Sequence, residues 1–251
     1  MTEPVLLVTQ HERVRRLTFN RPGKLNAFDT ALRLEFFRAV DEAAADDDTH
    51  VIVLAGAGRA FSSGADIGAG SSRSSVLDAP ADMVANKARL DAFLRLWSLP
   101  KPLIAQVHGY CLGMANDIVG CCDLVVCGES TRLGMPEVRE IALPPTLGFW
   151  PAKIGLARTK ELLWTGRLLD GHEAVALGLA NDVVPDDELQ DTVNALAAKI
   201  AEVALPLLAV TKQAANAWFE SFGVRSAVLG GAEYHALYHQ ASSYASGEGS
   251  S

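Results

Sequence analysis

Twice along the chain an apolar, strand-like run is followed by a glycine turn, and this restricts the fold more than any other feature. Val51-Ile52-Val53-Leu54 precedes Phe61-Ser62-Ser63-Gly64-Ala65-Asp66-Ile67. Leu103-Ile104-Ala105-Gln106-Val107 leads into His108-Gly109-Tyr110-Cys111-Leu112-Gly113-Met114-Ala115-Asn116-Asp117. Each turn heads toward a helix. Glycine lets the backbone turn tightly and present bare N–H groups, and a helix N-terminus adds partial positive charge. Two such turns meeting in space can form an oxyanion hole, which suits a thioester carbonyl becoming an enolate. A third turn, Leu133-Gly134-Met135-Pro136-Glu137-Val138, carries a carboxylate outward.

Strands are predicted at Val5–Thr9, Arg13–Asn20, Val51–Leu54, Leu103–Val107 and Asp123–Cys127. Helices are predicted after Asp29, over Asp82–Trp97, near Gly113–Gly120, and after Asp170-Gly171-His172-Glu173, a capping box whose helix Gly178 can end. Strand–helix–strand crossovers in one sheet are right-handed, so the strands should wind into a compact, spiral-like α/β core. Helices near Asp187–Val203, Leu205–Phe222 and Val224–Ala245 should form a C-terminal helical part. The expected division is a spiral core over 1–190 and a helical oligomerisation part over 191–251. Gly68–Pro80, rich in Gly, Ser and Ala, reads as a surface loop or an active-site lid, and 242–251 as a frayed polar tail. No internal repeat is visible.

With 251 residues, 49% hydrophobic and 21% charged, the chain can bury a sizeable core. A net charge of −8 argues against nucleic acid as the main partner. No apolar run reaches the roughly 20 residues of a membrane span. Met1-Thr2-Glu3-Pro4 does not read as a signal peptide. Cys111, Cys121, Cys122 and Cys127 lie in apolar segments without metal-ligand spacing, as buried free thiols would in a cytoplasmic protein. A basic cluster, Arg13, Arg15, Arg16, Arg21 and Lys24, could still hold a polyanionic cofactor.

These turns, with Asn20-Arg21-Pro22-Gly23-Lys24-Leu25-Asn26-Ala27, Lys101-Pro102, Cys122-Asp123-Leu124, Pro136-Glu137-Val138, Leu163-Trp164-Thr165-Gly166-Arg167, Ala176-Leu177-Gly178-Leu179-Ala180-Asn181 and Val183-Val184-Pro185, run in one order from about residue 14 to 215. Together they resemble the enoyl-CoA hydratase/isomerase (crotonase) superfamily. The resemblance implies a β–β–α spiral and an acyl-CoA thioester substrate, with no cofactor beyond its CoA moiety and no metal. It also implies a homotrimer or dimer of trimers. It places the oxyanion donors at the N–H groups of Ala65 and Met114 and the acids at Asp117 and Glu137. CoA would lie along Arg21, Lys24, Ala27, Ala65, Asp66, Ile67 and Gly68. The implied activity is hydration of a 2-enoyl-CoA through an enolate. The alternatives are isomerisation, hydrolysis or retro-aldol cleavage on the same fold, or a non-catalytic CoA-binding subunit.

The chain departs from the family pattern at the site. Met114 stands where glycine is usual, and Asp117 replaces a glutamate one methylene longer. Pro145, with no N–H, falls where a glycine N–H helps position water. Phe149 and Trp150 should make the pocket bulky. The resemblance also implies a terminal segment that often packs over the CoA of a neighbouring subunit, and part of that segment is expected to be missing here. Gly56-Ala57-Gly58 lacks the third glycine of a dinucleotide fingerprint, and Ser62-Ser63-Gly64 lacks the first glycine of a nucleophile elbow. His235 and His239 fit a helix face better than a metal site, and His108 is better explained as structural than as catalytic.

Overall fold

In a computed structural model the chain is described at residues 3–67, 79–140 and 149–246. The strands are β1 (Leu6–His11), β2 (Val14–Phe19), β3 (Val51–Gly56), β4 (Ala60–Ser62), β5 (Leu103–Val107), β6 (Tyr110–Leu112), β7 (Leu124–Gly128), β8 (Arg132–Gly134) and β9 (Asp182–Val184). The helices are α1 (Thr30–Ala45), α2 (Ala79–Trp97), α3 (Met114–Gly120), α4 (Glu137–Glu140), α5 (Trp150–Ile154), α6 (Leu156–Thr165), α7 (Gly171–Ala176), α8 (Leu189–Ala201), α9 (Leu205–Glu220) and α10 (Val224–Ser246).

The strands form two sheets. One has the order β1-β2-β3-β5-β7-β9, antiparallel only at the β1–β2 hairpin. The other is a parallel sheet of β4, β6 and β8. Each of β3, β5 and β7 is thus followed by a short strand in the second sheet and then by a helix. This is the expected spiral, turned three times, although the sequence itself does not repeat.

Both faces of the larger sheet are covered, which is why its central strands read as near-continuous apolar runs, interrupted in β5 by Gln106, which accepts from Arg16 Nη1 at 2.7 Å. Val51, Val53, Ile104 and Val126 face α8, where Leu189, Val193, Ala197 and Ala201 complete a small core. The intervening residues Ile52, Leu54, Ala105 and Val125 point the other way. They meet α1 through Leu32 and Phe36, α3 through Ala115 and Ile118, and α2 through Leu90 and Leu94. α10 packs along α2. It runs through Ser246, so 242–246 are helical where a tail was expected.

Two buried lysines lock this frame. Lys101 Nζ donates to Ala43 O (2.8 Å) and Asp46 O, satisfying carbonyls at the C-terminus of α1, where a cation also complements the helix dipole. Lys212 Nζ of α9 bonds Asp123 (2.7 Å) and Lys101 O (3.0 Å), while Asp123 accepts from Leu103 N–H. Lys101-Pro102 and Cys122-Asp123-Leu124, two of the matching stretches, therefore hold strands and helices together. All four cysteines are buried free thiols, and burial pushes Cys127 up to about 11.

Candidate active site

The site is assembled where the two glycine turns abut. Gly64 has φ +90, and a Cβ there would lie 2.6 Å from Leu112 O and 3.3 Å from Met114 N. Any side chain would push the turns apart. Gly64 O accepts from Phe28 N–H, and Asp66 N–H donates to Phe28 O. These groups flank Ala65 and both point at Phe28, so the Ala65 N–H points to the opposite side. Met114 is the first residue of α3, where an N–H has no partner within the helix. Among the described residues no acceptor takes the N–H of Ala65 or of Met114. The Met114 side chain packs on the core, so methionine there leaves its N–H available.

Gly113, the N-cap of α3, has φ +52 and ψ −121. A Cβ there would overlap Glu137 Oε1 and lie 3.2 Å from the Glu137 carboxyl carbon. The acid from the third turn is therefore seated against the second turn, one residue from Met114. Glu137 Oε2 is sealed from solvent without a hydrogen-bond partner. Burial, reinforced by the charge of Asp117, pushes this carboxyl up to about 7. A carboxyl near 7 can give and take a proton at neutral pH. Asp117, one turn along α3, is 6% exposed. Both acids thus share one buried neighbourhood.

The expected CoA-binding residues divide into two groups. Arg21 is committed within the protein. Its Nη1 donates to Ala27 O, and the guanidinium pairs with Asp66 at 3.0 Å and Asp29 at 3.1 Å. This clamp ties the Asn20–Ala27 segment to the first glycine turn. Asn26, wholly buried, adds bonds from Nδ2 to Ala57 O (2.9 Å) and Ala60 O (2.7 Å). Lys24 and Ile67 are exposed beside this junction, and Ala27 is buried beneath it. Gly68, residues 69–78, where a loop or lid was expected, and Pro145 lie outside the described residues.

Sequence reasoning passed over several residues. Asn116 Nδ2 staples Cys111 O (2.7 Å) to Gly134 O, holding β6 and β8 beneath the acids. On α2, Asp82 and Asn86 are buried and hydrogen-bonded to each other at 2.9 Å, and Asn86 Nδ2 meets His235 Nδ1 of α10 at 3.3 Å. Arg89 continues that face. The signal was present: positions 82, 86 and 89 carry polar groups on the stripe that becomes apolar at Leu90, Phe93 and Leu94. His108 Nε2 lies 2.9 Å from Gly58 O, a contact that joins the second turn to the segment after β3. Phe149 and Trp150 are buried in the core, and Phe149 faces Gly120 of α3.

A β–β–α spiral with two glycine turns abutting at its strand ends and a buried acid seated against them defines the crotonase class of fold. The chain belongs to the enoyl-CoA hydratase/isomerase family, whose profile matches residues 9–247. It is 33% identical over 227 residues to a protein of Mycobacterium tuberculosis described as a probable enoyl-CoA hydratase, covering 88% of this chain and 84% of that one. It is 33% identical over 218 residues to the 2,3-dehydroadipyl-CoA hydratase of Escherichia coli, covering 83% and 80%. Among solved structures, a probable enoyl-CoA hydratase of Mycobacterium thermoresistibile superposes with a TM-score of 0.88 at 30% identity, over 95% of this chain and 98% of that one.

Proposed function

We propose that the chain hydrates a 2-enoyl-CoA to the 3-hydroxyacyl-CoA, or runs the reverse dehydration. The observation that carries this reading is the placement of Glu137: a half-buried glutamate seated against the second glycine turn with its Oε2 sealed from solvent, where burial and the charge of Asp117 push the carboxyl up to about 7. The thioester oxygen accepts from the N–H groups of Ala65 and Met114. Glu137, with Asp117 holding the water, takes a proton from water as its oxygen bonds C3. The C2=C3 π electrons move onto the thioester oxygen as an enolate, which the two N–H groups stabilise. Glu137 then returns that proton to C2, and the net change is addition of one water.

CoA lies along Lys24, Ala27, Ala65, Asp66, Ile67 and Gly68, with Arg21 shaping the mouth by holding Asp66 and Ala27 rather than by offering a free charge. The chemistry needs no cofactor beyond the CoA of the substrate. The assembly is a homotrimer or dimer of trimers; exposed apolar residues on α9, including Leu207, Val210 and Trp218, and Phe222 just after it, support a helical oligomerisation part. Four free thiols fit a cytoplasmic setting. A panel of enoyl-CoA thioesters followed by mass spectrometry tests the activity. A gain of 18 mass units supports hydration; a shifted double bond without mass change indicates isomerisation, and free CoA indicates hydrolysis.

A further inference from the structure

Arg89 has no role in the chemistry above, yet it sits in its neighbourhood. It lies on the inner face of α2, between buried Asn86 and buried Leu90. α2 packs against α3, which carries Asp117. The Arg89 Nε is sealed from solvent with no hydrogen-bond partner, and no ion pair joins its guanidinium to any described residue. Burial works against its charge, while Asp117 and then Asp82 act through space to support it. Arg89 is half-buried; a guanidinium offers five donors in a planar fork that matches a carboxylate, and a sealed Nε without an acceptor is costly.

The nearby acids do not fill that fork. Asp82 is two turns back along α2, where its Oδ1 accepts from Asn86 at 2.9 Å within the network that reaches His235. Asp117 acts on Arg89 through its charge. On the acyl-CoA reading, a thioester oxygen held at the Met114 N–H would start an acyl chain beside Asp117, in the first turn of α3, and α2 packs against that helix. We infer that Arg89 is a specificity-determining residue of the acyl site, placed to receive a carboxylate at the far end of the acyl chain, so that the preferred substrates are CoA thioesters of dicarboxylic acids. The inference rests on the acyl-CoA reading above and adds the substrate class.

Binding of saturated, unreactive thioesters separates this claim from the hydratase reading. Adipyl-CoA and hexanoyl-CoA differ only at the far end of the chain. Titration calorimetry of the intact protein should show adipyl-CoA bound at least about tenfold more tightly, because a desolvated charge pair is at stake. R89M should bring the ratio to one or below, and R89K should keep an intermediate preference. A wild-type ratio of one or less overturns the inference, as does an unchanged ratio in R89M. If R89M does not fold, the wild-type and R89K ratios decide. Hydration of hexenedioyl-CoA is assayed in parallel. A preference in binding without hydration of any enoyl-CoA leaves Arg89 as the anchor and removes the hydratase activity. Hydration without the preference does the reverse.

Discussion

Gly113 is the position where backbone geometry and the proposed catalytic acid are most tightly joined, and G113A separates the two. Its φ of +52 with ψ −121 is a conformation open to glycine and strained for alanine, at about 1–3 kcal/mol. For a domain of this size that corresponds to a fall in Tm of roughly 2–12 °C. The added methyl would also overlap Glu137 Oε1 and sit 3.2 Å from its carboxyl carbon. Restoring ordinary carbon–oxygen contact requires the carboxyl to move by about 1 Å, given an optimum near 3.5 Å. A misplacement of that size can cost about 10²-fold in rate. G178A supplies the control, because Gly178 also has a positive φ (+79) but nothing within 4 Å of where its methyl would lie. Melting curves and turnover of crotonyl-CoA are measured for both variants. Both should lose stability, and only G113A should lose turnover. Equal turnover in G113A and G178A would refute the seating of Glu137 against this turn.

Further expectations concern proton linkage and CoA. Glu137 is raised in the folded state to about 7 from an ordinary value near 4.5, so between these pH values the native protein holds a proton that the unfolded chain releases, and stability falls as pH rises through that window. The ionisation penalty is absent below about pH 4.5 and reaches on the order of 3 kcal/mol above about pH 7, at 1.36 kcal/mol per pH unit. E137Q removes it, so denaturant unfolding at pH 5 and pH 8 should show the variant gaining on wild type at the higher pH; a constant difference contradicts the burial of this carboxyl. K24E should weaken acyl-CoA binding more than it lowers turnover, since phosphate contacts hold ground state and transition state alike. Unchanged affinity by calorimetry at moderate salt would move the CoA site elsewhere.

The long elements were legible because each carries its own physics. β3, β5 and β7 are apolar runs. Asp29 caps α1 by accepting from Leu32 N–H, and Asp170 with Glu173 forms the capping box of α7. The second sheet was not legible. β4, β6 and β8 are three residues each, they lie among the turn motifs, and they exist only because three spiral turns bring them side by side. α2 begins at Ala79 rather than Asp82, since Pro80 is tolerated in a first turn. At the site, Glu137 and the Ala65 and Met114 N–H groups could be named from their motifs. The commitment of Arg21 to Asp66 and Asp29 could not, because it depends on side chains far apart in sequence. Arg89 was hidden for the same reason: its isolation is a property of three packed helices.

The central claim is that Glu137 is the principal acid/base and Asp117 its assistant. General acid/base groups typically contribute about 10²–10⁴-fold. The direct measurement is turnover of crotonyl-CoA by E137Q and D117N, with isotope exchange at the α-carbon followed in the same samples. E137Q should lose at least about 10³-fold and its exchange. D117N should lose less, and both should still bind acyl-CoA, because the oxyanion donors are backbone groups. Full hydratase activity in D117N would remove Asp117 from catalysis and leave a one-acid mechanism. Full activity in E137Q would contradict the account as a whole.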